Sequence, residues 1–80
     1  MSTPDWLVLV VERHQAFHVI GSAEEALDML FANWPTASGA AFVLAMEACA
    51  GTATGTVTQD EAQLSFLAAA LDAKVEFRFA

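Results

Sequence analysis

Positive charge is scarce in this sequence. The 80 residues include only three cations, Arg13, Lys74 and Arg78, against ten acidic residues, which gives a formal net charge of −7. Arg13 is far along the chain from Lys74 and Arg78, and the three cations form no basic stripe. Because binding to nucleic acid or to an anionic membrane surface needs clustered lysine and arginine, we expect neither partner. A basic protein stays open as a partner.

Cysteine and long apolar runs are also scarce. The single cysteine, Cys49, cannot form an internal disulfide. The most apolar stretch, residues 39–51, is shorter than a membrane span of ~20 residues and contains Glu47. Residues 1–5 have no lysine, arginine or long apolar segment, so they lack the features of a secretory signal, and we expect them to form a flexible tail. These absences favour a soluble, cytoplasmic protein.

Apolar residues are abundant instead. Hydrophobic residues make up 56% of the chain and charged residues 16%, whereas globular proteins average about 45–50% and about 25%. A chain of this length is expected to form one domain over residues 1–80 and to bury only roughly 60% of its unfolded surface. Because small monomers rarely expose a large contiguous apolar patch, we expect a second copy to cover part of the excess.

Local patterns predict the order β-β-α-α-α-β. Residues 6–12, WLVLVVE, are apolar on both faces, as in a central strand, while residues 16–20 and the strictly alternating residues 74–79 are typical of two further strands. Residues 13–15 are expected to form the first turn, although they lack the usual Gly or Asn. Short connections then predict an α+β domain with a three-stranded antiparallel sheet in the order 2-1-3 and three helices on one face.

Capping signals predict where the helices begin. Ser22 with Glu25, and Thr58 with Glu61, match the S/T-x-x-E capping box and mark the starts of the first and third helices. Pro35 is expected to end the first helix near Trp34. The expected buried stripe of that helix comprises Leu27, Leu30, Phe31 and Trp34.

The second helix differs from the others in being apolar all round. It is expected to begin near Ser38 and to end in the glycine-containing segment 51–55. Phe42, Ala45, Met46 and Cys49 make one apolar face, and Val43 and Leu44 extend the apolar surface to other sides. Such a helix is predicted to be buried between its neighbours.

The strand alternation predicts an apolar strip on the face of the sheet away from the helices. If Glu12 points outward, every second residue of the first strand also points outward. Beside them lie the outward residues of the other two strands, among them Lys74 and Glu76. We predict that this strip, rimmed by charges, is a homodimer interface. Its predicted members are Trp6, Val8, Val10, His18, Ile20 and Arg78.

Acidic residues gather in the first turns of the first and third helices. Glu24 and Glu25 lie in one and Asp60 and Glu61 in the other, and the predicted topology brings both helix starts to one end of the domain, together with Asp5. Carboxylates are favoured at helix N-termini by the macrodipole, so helix capping is the simpler interpretation. The alternative is an acidic pole that binds a basic partner or a divalent cation.

The sequence lacks a recognisable catalytic set. His14 and His18 are separated by roughly 13 Å along a strand at ~3.3 Å per residue, too far to share one metal ion. Cys49 lies among small and apolar residues, which favours an inert core thiol. No Ser-His-Asp set, phosphate-binding loop or dinucleotide motif is present. We therefore predict no catalytic residue, no metal ligand and no cofactor.

A resemblance to a known family covers about two thirds of the chain, from Val19 to Ala73. The run VIGSAEEALDML is followed by Trp34-Pro35, by AMEAC, and by EAQLSFLAAA. In this ordered combination the chain resembles the domain of unknown function 982 family, which consists of short single-domain bacterial proteins. Family members commonly have Arg where this chain has Gln63, and Gly where it has Lys74. The resemblance implies a small α+β domain and no particular activity, substrate or cofactor.

Two functional hypotheses follow. The preferred one is a non-catalytic interaction or regulatory module that is homodimeric through the sheet, because catalytic chemistry is missing and apolar surface is in excess. The alternative is a small-ligand-binding domain or enzyme with its site in the dimer cleft, where His18 and Arg78 would be the nearest polar groups.

Overall fold

The computed structural model describes residues 6–35 and 37–80. The expected N-terminal tail, residues 1–5, and Asp5 of the acidic pole lie outside these ranges. The predicted order β-β-α-α-α-β is confirmed, and the sheet is antiparallel with β1 central, in the order β2-β1-β3. The elements are β1 (Leu9–Arg13), β2 (Ala16–Ile20), α1 (Ala23–Ala32), α2 (Ala40–Thr54), α3 (Gln59–Asp72) and β3 (Glu76–Phe79).

The turn between β1 and β2 contains two residues, not the three expected. His14 and Gln15 both have positive φ, 54° and 63°, as a type I′ turn requires, and Arg13 therefore pairs with Ala16. The expected three-residue loop would have paired Glu12 with Ala16, whereas Glu12 pairs with Phe17. A one-residue change of register exchanges the two faces of a strand, so every side chain of β2 lies on the opposite side from the prediction.

The core lies between the inner face of the sheet and the helices. Leu9 and Val11 of β1 are fully buried there, as is Phe66 of α3. The Phe66 ring packs against two tryptophans, with centroid distances of 6.1 Å to Trp6 and 5.2 Å to Trp34. Trp34, after the end of α1, is partly buried and packs against the core, in keeping with its place in the predicted stripe.

Helix α1 buries Leu30 and packs Leu27 partly buried against the core, as expected, and the predicted stripe is wrong at one residue, Phe31. Its buried residues include Ala26, Met29 and Leu30, but Phe31 is 69% exposed. Phe31 follows Leu30 by about 100° around the helix, which turns its side chain away from the core. At the C-terminus of α1, Arg13 Nε donates to the carbonyl of Asn33 at 2.8 Å, so a cation from β1 satisfies a free helix carbonyl.

Helix α2 is buried on one side only, which contradicts the prediction of all-round burial. It packs against α1 and α3 and buries Phe42, Ala45 and Cys49, while Val43 and Leu44 are exposed. Its neighbours are α1 and α3 and it contacts no strand, so within the described residues nothing covers the side of α2 away from those two helices. No described helix is long and apolar enough to cross a membrane.

Helices α2 and α3 end in the same hydrogen-bond pattern. The amide of Thr56 donates to the carbonyl of Gly51 at 3.1 Å, and that of Val75 donates to Ala70 at 2.8 Å, as in a Schellman motif. This motif requires a residue with positive φ just after the helix. That residue is Gly55 after α2, with φ 80°, and Lys74 after α3, with φ 59°. Helix α2 therefore extends to Thr54, through most of the segment predicted to form its exit.

Candidate functional site

The outer face of the sheet carries a contiguous group of apolar side chains. Phe17 and Val19 of β2 are 61% and 66% exposed, Val8 is exposed, and Val10 in the centre is half-buried. Val10 pairs with Val19, which places these two side chains beside each other on the same face. We call Val8, Val10, Phe17 and Val19 the outer apolar strip.

Three charged residues border this strip. Arg78 of β3 pairs with Val10 and extends over the Phe17 ring, with its guanidinium carbon 5.3 Å from the ring centroid. This cation–π contact spans the central strand. Glu12 and Glu76 lie directly opposite each other on the same face, an arrangement that destabilises an isolated sheet because like charges face each other. Within the described residues, none of these three groups forms an ion pair.

The predicted interface residues divide into two groups. Val8, Val10 and Arg78 lie on the outer face, as expected, whereas the outward placement of Trp6, His18 and Ile20 is wrong. His18 and Ile20 pair with Val11 and Leu9 and therefore lie on the inner side, where Ile20 is 4% exposed. The one-residue difference in the hairpin loop is the cause. Whether the outer face forms a dimer stays a prediction.

Trp6 is buried because it lies before β1, where the alternation of the strand does not determine the direction of its side chain. Its indole Nε1–H donates to the carbonyl of Ile20 at 3.0 Å. Next to it, the buried side chain of Gln63 accepts the amide of Leu7 at 3.1 Å and donates to the carbonyl of Leu7 at 2.6 Å. Residues 6–8 were predicted as strand, but β1 starts at Leu9. Gln63 therefore holds the segment before β1 against α3.

Phe17 and Val19 are the outer-face residues that the sequence interpretation missed. Both alternations of β2 contain apolar side chains, Phe17 and Val19 in one and Ala16 and Ile20 in the other, so hydrophobicity did not separate them. The available signal was loop length, because two-residue turns are the commonest connections in β-hairpins.

The acidic pole has the predicted position. The amide of Ala23 at the start of α1 donates to Gln59 Oε1 at the start of α3, at 2.9 Å, so the two helix N-termini are neighbours. Glu24, Glu25, Asp60 and Glu61 occupy their first turns.

The carboxylates of this pole make local hydrogen bonds. Glu61 Oε1 accepts the amide of Thr58 at 3.0 Å, which completes the predicted capping box. Glu25 Oε1 accepts the amide of Gly21 at 2.7 Å, one residue before the expected Ser22. The Thr58 hydroxyl, which donates to Asp60, lowers the pKa of that carboxyl below its usual value. Each of these bonds stabilises a helix start, which supports the capping interpretation.

Nucleophile and metal chemistry have little support among the residues with described positions. Burial raises the pKa of the Cys49 thiol to about 11, so the reactive thiolate is disfavoured at neutral pH. His14 lies in the exposed turn, and His18 lies on the inner side of β2. Over residues 6–35 and 37–80, no three histidine, cysteine or acidic side chains come close enough to hold a metal ion.

Comparison with known proteins gives one match. No curated protein and no solved structure matches the sequence significantly. A family model described as "Protein of unknown function (DUF982)" matches residues 7–77, nearly the whole chain. The resemblance noted from the sequence is therefore confirmed, and the chain belongs to the DUF982 family.

Proposed function

We propose that this protein is a non-catalytic interaction module that forms a homodimer through the outer face of its sheet. The observation that carries the proposal is the outer apolar strip, with Phe17 and Val19 each more than 60% exposed. Surface of this kind, apolar in the middle and charged at its border, is typical of protein interfaces. The strip is not needed to build the core, which lies on the other side of the sheet.

The border charges favour a second copy as the occupant. Glu76 and Arg78 are two residues apart on β3 and lie on the same face. If two copies stack face to face, the two-fold axis can lie between the two sheets, perpendicular to the strands and midway between Glu76 and Arg78. Rotation about this axis brings Glu76 of each copy to Arg78 of the other. The same axis places Phe17 against Val19 of the second copy. The excess negative charge of the Glu12–Glu76 pair is then compensated by a cation.

The competing ligand-site hypothesis needs His18 and Arg78 in one cleft. The sheet separates them, because His18 lies on the inner side and Arg78 on the outer face. The concavity between Val10, Phe17 and Arg78 measures about 220 Å³, below the ~300–1,000 Å³ of most small-molecule pockets. These observations favour the interaction module over a ligand site on the outer face of the sheet.

A charge exchange tests the two-fold arrangement. Glu76→Arg or Arg78→Glu alone creates two repulsive contacts per dimer, and we expect each to weaken association at least about tenfold. The double variant Glu76→Arg/Arg78→Glu restores opposite charges across the axis and should recover most of the affinity. Sedimentation equilibrium over a range of protein concentrations measures the dissociation constant.

Two lysine variants locate the interface. Val10→Lys places a charge in the centre of the strip and should prevent dimerisation, whereas Val43→Lys, on the exposed side of α2, is the matched control and should leave it unchanged. A wild-type protein that stays monomeric at high concentration would refute the proposal. Dimerisation that Val10→Lys does not affect would place the interface elsewhere.

A further inference from the structure

A second concave surface lies between β2 and α1. It has a volume of about 520 Å³, more than twice that of the concavity on the outer face. Side chains of β2, including His18 and Ile20, form one wall, and Asp28 and Met29 of α1 contribute to the other. Because β2 is an edge strand, this groove is open along the side where a further strand would pair.

The backbone of β2 presents hydrogen-bonding groups to this groove. The carbonyl of Val8 accepts the amide of Ala80, on the β3 side of the sheet. In an antiparallel ladder, successive residues of the central strand form backbone hydrogen bonds alternately to one neighbouring strand and to the other. Since Val8 bonds to the β3 side, Leu9, Val11 and Arg13 bond to β2. Their partners are Ile20, His18 and Ala16. The N–H and C=O groups of Phe17 and Val19 consequently point to the open edge.

Negative charge is concentrated at one half of the groove. Glu25 and Asp28 of α1 line the half nearer Ile20, because the chain turns at Gly21 and α1 runs back along β2. The carboxylate of Asp28 is exposed and makes no hydrogen bond or ion pair within the described part of the chain. The nearest cation along α1, Arg13, is bound to the Asn33 carbonyl at the other half.

We infer that this groove binds a basic, extended segment of another protein, which adds to β2 as a fourth strand. The segment's backbone pairs with Phe17 and Val19, as in β-strand addition. Its residue opposite His18 points toward α1, since strand side chains alternate, and a lysine there meets Asp28. The inference goes beyond the proposed dimer and does not depend on it.

A second copy of the chain fits this edge less well than a basic segment does. Symmetric pairing of two β2 strands about His18 would bring the two Asp28 carboxylates toward each other, with Glu25 close by on each side. Like charges in such an arrangement oppose association. The charge of the groove thus selects against self-pairing and in favour of lysine or arginine.

A capped synthetic peptide, Thr-Lys-Val-Lys-Val-Lys-Thr with a fluorescent label, is the probe for this groove. We expect binding by fluorescence anisotropy, with amide shifts of Phe17 and Val19 in NMR spectra. The same peptide with glutamate in place of lysine should bind at least about tenfold more weakly. A peptide with N-methylated valines keeps its charge but cannot donate to β2, and it should also lose about tenfold.

Protein variants separate groove binding from general attraction to an acidic protein. Asp28→Asn should weaken binding of the lysine peptide about two- to fivefold. Asp72→Asn removes the same charge from an exposed site on α3 and should have no effect. Val10→Lys, which prevents the proposed dimer, should leave the affinity within about twofold, because Val10 lies on the central strand and not in the groove, and salt weakens the interaction between exposed charges.

Several outcomes would overturn the inference. Equal affinity for the N-methylated peptide, or equal effects of the two Asp→Asn variants, would show that net charge alone attracts the peptide. Self-association that increases in Asp28→Asn and is lost in Val19→Pro would assign the edge to a second copy instead. Failure of peptide binding while the charge exchange on β3 still controls dimerisation would leave the proposed function intact and remove only this groove.

Discussion

On the central strand of the sheet, Leu9 and Val11 are fully buried beneath the helices, whereas Val10 is half-buried on the opposite side and Val8, just before the strand, is exposed. The two faces are built from the same kinds of side chain, and they differ in what covers them. The inner residues are required for folding, because they fill the space against the helices. The outer residues are not part of this core, and the proposed dimer would assign their apolar character to association and not to stability.

The sharpest test of this contrast makes the same substitution on each face. Val11→Ala removes two buried methyl groups and leaves a cavity, so it should lower the free energy of unfolding by about 2–3 kcal/mol. Val10→Ala on the outer face should lower it by less than about 1 kcal/mol when both are measured in the Arg78→Glu background, which weakens the proposed dimer. Urea denaturation followed by circular dichroism measures both values. Equal losses would mean that both faces support the fold.

A second test acts on the turn that decides which side chains reach each face. Gln15 adopts positive φ, which costs a residue with a side chain about 1–2 kcal/mol relative to glycine. Glycine loses more backbone entropy on folding, which offsets part of this gain. Gln15→Gly should therefore raise the free energy of unfolding by about 1 kcal/mol. Gln15→Ala is the control and should bring no gain. Destabilisation by glycine would indicate that Gln15 makes a compensating contact.

The smallest effect is expected at Lys74, where the chain leaves α3 and enters the third strand. Lys74→Gly relieves the positive φ but removes a cation close to the C-terminus of α3, which is worth ~0.3–1 kcal/mol. The net gain in the free energy of unfolding should be about 0.5 kcal/mol by thermal and urea denaturation. Lys74→Ala keeps the backbone strain and loses the cation, so it should be slightly destabilising. A gain with alanine would contradict this account.

The parts of the fold that depend on local signals could be predicted from the sequence. The capping box at Thr58, the break at Pro35 and the alternation of the third strand each act within a few residues, and short connections then restricted the topology. The two helix starts of the acidic pole followed from the same reasoning.

The assignment of residues to the faces of β2 could not be obtained in the same way. It depends on whether Arg13 pairs with Ala16, and the turn has neither Gly nor Asn to mark its conformation. Phe17 and Ile20 are both apolar, so either register gives an apolar inner face. The exposure of Phe31 and Leu44 likewise depends on which neighbours cover a helix, a property of the tertiary structure that helix periodicity does not contain.

The contact between Gln63 and Leu7 has a consequence for the order of folding. Its two hydrogen bonds join residues 56 positions apart, so a long loop must close before either can form. The Gln63 side-chain amide bonds to both the N–H and the C=O of Leu7, as the backbone of a neighbouring strand would. Gln63 belongs to α3, so its position depends on that helix. We therefore expect the segment that precedes the first strand to dock after α3 has formed, and solvent exchange of the Leu7 amide would measure how often its contact with α3 opens.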